Sequence, residues 1–219
     1  MRALLVLALA LLALASLPTD GAAQRDVRLR VSLPAAAARA TTPPSVRAEY
    51  VFTDPRVADL LRNGFPARLH YRVELWSTAG WFNSLRQAVE WDVIVRYSSL
   101  DQRYLVARVD AEDRVTQLGA YEALRDVERV VSQPYEPPIT PRGRREELYY
   151  VAVLDVEMIS VSDLDEVERW LRGELRPAVR GEQNAGTAIT RGVRTLFVKI
   201  LGGSSRRYEA KSGRFRPRG

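Results

Sequence analysis

His70 is the sole histidine in a chain of 219 residues, so any imidazole chemistry, whether proton transfer, nucleophile activation or metal ligation, rests on it. A Ser-His-Asp arrangement would also need a hydroxyl on a strained turn, and the chain carries no Gly-x-Ser-x-Gly elbow. His70 alternates with Arg68, Arg72 and Glu74 along a strand-like stretch, so it reads as one polar residue of a wet strand face. Carboxylates offer a second chemistry, because glycan hydrolysis requires only two acids in one cleft. The candidates are Glu90 with Asp92, Asp155 with Glu157, and Asp110 with Glu112 and Asp113. The first two pairs have the i, i+2 spacing of an ordinary solvated sheet, and the third is what a polar turn looks like. With no cysteine anywhere, thiol catalysis, disulfides, zinc-cysteine sites and lipoprotein anchoring drop out. Gly202-Gly203-Ser204-Ser205 follows a helical pattern rather than preceding one, so it is no phosphate-binding loop. No metal or cofactor is expected.

Two further patterns point to binding rather than catalysis. Trp76, Trp81 and Phe82 cluster beside a predicted hairpin connection. They form either an exposed aromatic edge for sugar rings or a partner, or a cap folded over the end of the core, and the cap is the preferred reading. In the basic segment Thr187 to Leu201, Ile189, Val193, Leu196, Phe197, Ile200 and Leu201 recur at helical spacing. Arg191, Arg194 and Lys199 lie largely off that stripe. Such a helix can lie on an anionic membrane surface, dock into the groove of an envelope partner, or pack on its own domain.

The elements that position these residues are mainly strands. Leu69, Tyr71, Val73 and Leu75 alternate with charged residues, as do Val89, Trp91, Val93, Val95 and Tyr97, with Ile94 off pattern. These two runs predict the central hairpin, and eight aromatic residues fall between Phe65 and Tyr104. Further strands are predicted over Val27 to Leu33, Ser45 to Phe52, Tyr104 to Val109, Arg114 to Leu118 and Leu148 to Met158. The last is apolar on both faces, as a central strand is. A helix capped by Thr53 or Asp54 and closed by Gly64 carries Val57, Leu60 and Leu61. A second is predicted over Ala120 to Val131 and a third after Ser162, with Leu164, Val167, Trp170, Leu171 and Leu175 buried. Pro34 to Pro44 and the Pro-rich basic stretch Ser132 to Arg145 read as loops, and residues 204–219 as a disordered end.

The expected fold is therefore mainly β or α+β. It is an antiparallel β-sandwich, or a curved sheet of about seven strands covered by two to three short helices, plus the C-terminal amphipathic helix. Residues 1–23 read as a signal peptide, cut near Ala23 and Gln24, with an uncleaved anchor as the alternative. Their apolar run of about fifteen residues is short of the roughly 20 that span a bilayer. Residues 24–175 form the globular domain and 176–219 a basic extension. The formal net charge is +6, and the extension carries eleven Arg or Lys against Glu182 and Glu209. The basic charge would suit nucleic acid, but export argues against it, so no nucleic-acid partner is expected, and no oligomeric state is predicted.

The order of several motifs resembles a known family. Leu61-Arg-Asn-Gly64-Phe-Pro66, Trp81-Phe82, the spacing of Tyr97, Leu100 and Tyr104, and Glu122-Ala123-Leu124 carry the likeness. Together they resemble the bacterial exported family catalogued as domain of unknown function 4390 (DUF4390), over roughly Asp26 to Leu175. The resemblance implies an exported protein and supplies neither an activity nor catalytic residues. The sequence expectation is a non-catalytic binding or scaffolding module of the cell envelope, its basic tail on a membrane surface or partner. The alternatives are a carboxylate-dependent hydrolase of envelope glycans and a small-ligand carrier with an apolar pocket between sheet and helices.

Overall fold

The computed structural model describes residues 26–78, 82–141, 146–159 and 206–217. Among these, antiparallel strands dominate, in two sheets that do not close into a barrel. Strands β1 (Arg28–Ser32) and β2 (Ser45–Glu49) pair with each other, joined by a short 3-10 turn at Ala36–Ala38. The larger sheet holds β3 (Ala67–Ser77), β4 (Ser84–Ser98), β5 (Arg103–Val109), β6 (Val115–Tyr121), β7 (Leu148–Met158) and β8 (Arg206–Lys211). Its spatial order is β6-β5-β4-β3-β7-β8. Helices α1 (Pro55–Arg62) and α2 (Leu124–Val131) complete the described elements.

The predicted alternation builds the core. Leu69, Tyr71, Val73 and Leu75 of β3, Trp91, Val93 and Val95 of β4, and Tyr150, Ala152 and Leu154 of β7 are all buried on one face. That face is covered by Leu29, Val46 and Ala48 of the small sheet, Leu61 of α1, and Val127 and Val131 of α2. Helix α1 is capped by Asp54, whose carboxylate accepts from the Arg56 backbone N–H at 3.0 Å, with Pro55 in the first turn. Gly64, at φ 87°, takes the left-handed position that ends the helix.

Several expectations are corrected. The basic end beyond Ser205 is not disordered at 206–217: β8 pairs with β7 from Val156↔Arg206 to Val151↔Lys211. Tyr208 and Ala210 pack against the core, and Phe215 is buried, stacked on Tyr150 with ring centroids 5.4 Å apart. Arg206 also reaches Asp54, Nη2 to Oδ2 at 2.9 Å, joining the tail to the cap of α1. The unpaired edge of an apolar strand supplies the physical reason, since β7 needs a partner on both sides.

Strand β6 runs to Tyr121, past the predicted end at Leu118, because Tyr104 pairs across to Tyr121. A bulge between Val106 and Ala107 and Gly119 at φ 136° make that register attainable. The Tyr121 ring folds over Gly119, where any Cβ would collide with it, and its hydroxyl donates to Leu118 O at 2.7 Å. Helix α2 consequently starts at Leu124, not Ala120. The Pro-rich stretch after α2 is packed rather than a surface loop: Ile139 is fully buried, and Tyr135 exchanges two backbone hydrogen bonds with Val46 at 2.8 and 2.9 Å. The face opposite the core is not simply wet, since Ile94, Ala107, Val109, Val151 and Val153 are buried on it. The predicted third helix and the amphipathic helix at 187–201 lie outside the described residues.

Candidate functional site

A cleft of about 230 Å³ lies between the core face of the large sheet, the small sheet and α2. Tyr71, Trp91 and Val93 form its floor, and Val46 and Ala48 of β2 its roof. Arg108, Leu118 and Tyr121 make one wall, and Val130, Val131 and the Gln133-Pro134-Tyr135 segment the other. Gln133 and Pro134 are exposed, so the cleft meets solvent there.

The polar and aromatic geometry follows from strand register. Tyr71 and Trp91 are directly opposed on β3 and β4, and their rings lie 4.9 Å apart and within 2° of parallel. Tyr135, pinned by its backbone bridge to Val46, tilts 55° against Trp91 at 4.8 Å. Arg108 holds its guanidinium carbon 4.3 Å above the Tyr135 ring. Among the described residues Arg108 forms no ion pair, which is unusual for a half-buried cation.

Glu128 stands behind the cleft with its carboxylate already engaged. It accepts from the backbone N–H groups of Val51 and Phe52 at 3.2 and 2.9 Å and from the Ser132 hydroxyl at 2.9 Å. These bonds hold the turn after β2, where Tyr50 sits at φ 64°. Burial, and secondarily the charge of Glu128, push the Tyr71 phenol well above its ordinary range, so it stays a neutral hydroxyl.

The opposite face carries the sequence-predicted ionisable residues as a linked ladder. Arg68 donates to both oxygens of Asp92 at 2.9 Å, and the His70 Nδ1 lies 2.8 Å from Asp92 Oδ1. Glu157 approaches Arg68 at 3.7 Å and Glu90 approaches the His70 Nε2 at 3.8 Å. Arg72 bridges Glu74 at 2.6 Å and Glu90 at 3.0 Å, and the Trp76 indole N–H donates to Glu74 at 2.8 Å. Burial works against an ionised Asp92, but His70 and Arg68 outweigh it and hold the carboxyl below its usual range. Burial pushes Glu157 the other way, upward. An acid and a base with pKa values driven apart is a catalytic pattern, but here Arg68 sits between them and binds both. The ladder is an arrangement of paired charges, with one buried oxygen of Glu157 left without a hydrogen-bond partner among the described residues. Among the described residues no group of three or more His, Asp or Glu side chains is placed to hold a metal ion.

The remaining sequence candidates are dispersed. Asp155 is approached by Arg207 at 3.8 Å, and Asp110 organises its own turn by accepting from the Glu112 and Arg114 backbone N–H groups at 3.0 Å. At the β3–β4 hairpin end, Trp76 is half-buried, whereas Phe82 is 82% exposed and does not fold back over the core. Trp81 lies outside the described residues, as do Ile189, Arg191, Val193, Arg194, Leu196, Phe197, Lys199 and Ile200.

Sequence reasoning missed the cleft residues Arg108 and Tyr135. The available signal was Arg108 itself, an arginine in step with Tyr104 and Val106 on the core side of β5, opposite Val93. The chain matches no family model, no curated protein and no solved structure.

Proposed function

We propose that this chain is a non-catalytic binding module of the cell envelope, built on a lopsided β-sandwich, that receives a small apolar or aromatic group in the cleft beside Trp91. The observation that carries this reading is the cleft wall itself, in which four aromatic rings, Tyr71, Trp91, Tyr121 and Tyr135, line a solvent-reaching space that the core has not filled. Its volume of about 230 Å³ suits one or two rings, since an engineered apolar cavity of about 150 Å³ accepts benzene. Of the two sequence-derived alternatives, the small-ligand carrier gains more from this geometry. The hydrolase reading gains nothing comparable, because the paired acids of the sheet face are held by Arg68, Arg72 and His70. Export is supported by the signal-like residues 1–23 and by the DUF4390-like motifs, and the basic segment 187–201 supports contact with an anionic membrane or an envelope partner.

The test is thermal unfolding of the mature protein in the presence of indole and naphthalene-type compounds. At a concentration 100-fold above Kd a ligand stabilises by about 2.7 kcal/mol, a rise in Tm of about 5–11 °C for a domain of this size. Gln133→Trp, at the exposed mouth, should abolish the rise without lowering the ligand-free Tm. A panel that leaves Tm unmoved would remove the carrier reading.

A further inference from the structure

We infer that the cleft selects a planar aromatic carboxylate, a small free anion of one or two fused rings, whose carboxylate is bound by Arg108. This rests on the cleft reading above and adds the sign of the charge.

Three features of the site argue for an anion. The first is Arg108, a cation at a core-facing position of β5 with its guanidinium 4.3 Å over the Tyr135 ring and no carboxylate partner among the described residues. Stacking on a ring satisfies one face of a guanidinium and leaves its in-plane N–H donors unused, and those donors match a carboxylate in bidentate fashion. A cation left half-buried beside apolar side chains carries a desolvation penalty that an anionic ligand relieves. The second is the lining, which includes no aspartate or glutamate. Glu128, the acid whose charge reaches Tyr71, spends its oxygens on Val51, Phe52 and Ser132. The third is the aromatic lining, in which Tyr71, Trp91, Tyr121 and Tyr135 all border the cleft and favour a ring over an aliphatic group. Cation and aromatic lining meet at Tyr135, which carries Arg108 and touches Trp91, so one ligand with a ring and a carboxylate engages both. A cationic ligand would face Arg108 unscreened, and a long aliphatic chain would exceed the volume.

Isothermal titration of the mature protein with 2-naphthoate and its neutral isostere 2-naphthamide tests this. The expected result is at least tenfold tighter binding of 2-naphthoate. Arg108→Gln should erase that preference while leaving 2-naphthamide affinity within twofold, and Arg108→Lys should retain part of it. Equal affinities for the two compounds in the parent protein would overturn the anion inference and leave the carrier reading standing. Loss of both ligands in a folded Arg108→Gln protein would also overturn it, because Arg108 would then be acting only by packing on Tyr135. No binding of either compound by the parent protein would overturn the inference and the carrier reading together. Weaker binding of 2-naphthoate than of a peptide ending in an aromatic residue would assign the carboxylate to a protein C-terminus and overturn the small-anion inference.

Discussion

Replacing Asp92 by Asn should destabilise the protein far more than the loss of a surface charge would. The side chains of Arg68 and Asp92 are only 10% and 18% exposed, and the carboxylate accepts from Arg68 twice at 2.9 Å. His70 Nδ1 is a third contact, at 2.8 Å. Removing one member of a buried pair costs about 3–5 kcal/mol because the survivor is left uncompensated. Glu157, 3.7 Å from Arg68, offsets part of this, so the lower end, about 3 kcal/mol, is expected. For a domain of this size that is a fall in Tm of about 6–12 °C, read by circular dichroism at pH 7. The triple variant Arg68→Met/Asp92→Leu/Glu157→Gln, which removes the pair together with the second carboxylate facing Arg68, should recover most of the loss.

The pH profile carries the sign. Asp92 has a depressed pKa in the fold, so its contribution is fully present above the usual carboxyl range and is lost as pH falls through the depressed value. Glu157 is raised, so its contribution runs the opposite way, present in acid and lost as pH rises through the raised value. Asp92→Asn should therefore flatten the acid limb of the stability curve. A Tm shift under about 2 °C, or a triple variant less stable than the single, would refute the reasoning.

Two other outcomes follow from the corrected tail. Phe215→Ala, which empties a buried position stacked on Tyr150, should cost about 3–5 kcal/mol in urea unfolding, and a cost below about 1 kcal/mol would mean that the segment after β8 is not docked in solution. Membrane contact by the basic segment should be tested with Arg191→Gln/Arg194→Gln/Lys199→Gln rather than by deleting 187–219, which would remove β8 as well. The mature protein should sediment with anionic vesicles at low salt and the triple variant should not. Equal sedimentation of the two would assign binding to another surface.

The fold was most legible where burial is one-sided and pairing is local. The alternation along β3 and β4, broken only at Ile94, specifies both the hairpin and its inward face, and Asp54, Pro55 and Gly64 punctuate α1 by local chemistry alone. Strand β8 was not legible because RRYEAK has the composition of a solvated tail and acquires its structure from β7, fifty positions upstream by the Val156↔Arg206 pairing. Charged edge strands look like disorder when read alone. The cleft was hidden for a related reason. Arginine on a strand is ordinarily assigned to water, and Tyr135 lies in a Pro-rich stretch whose bridge to Val46 spans most of the domain sequence. His70 and the acids around it were placed on the correct face, but their mutual neutralisation depends on cross-strand register that periodicity does not supply.

The position of β8 also bears on how copies of this protein behave together. Strand β7 is apolar on both faces, with Val151 and Val153 on one and Tyr150, Ala152 and Leu154 on the other, and one of its edges is closed only by β8. An exchanged β8 would regain the same ladder, the same Arg206–Asp54 bridge and the same Phe215 stack. The intramolecular and exchanged forms therefore differ mainly in entropy, and concentrating the protein favours reciprocal strand-swapped dimers. A copy that lacks residues 206–217 has no strand to return and presents β7 as an open edge onto which further chains can add.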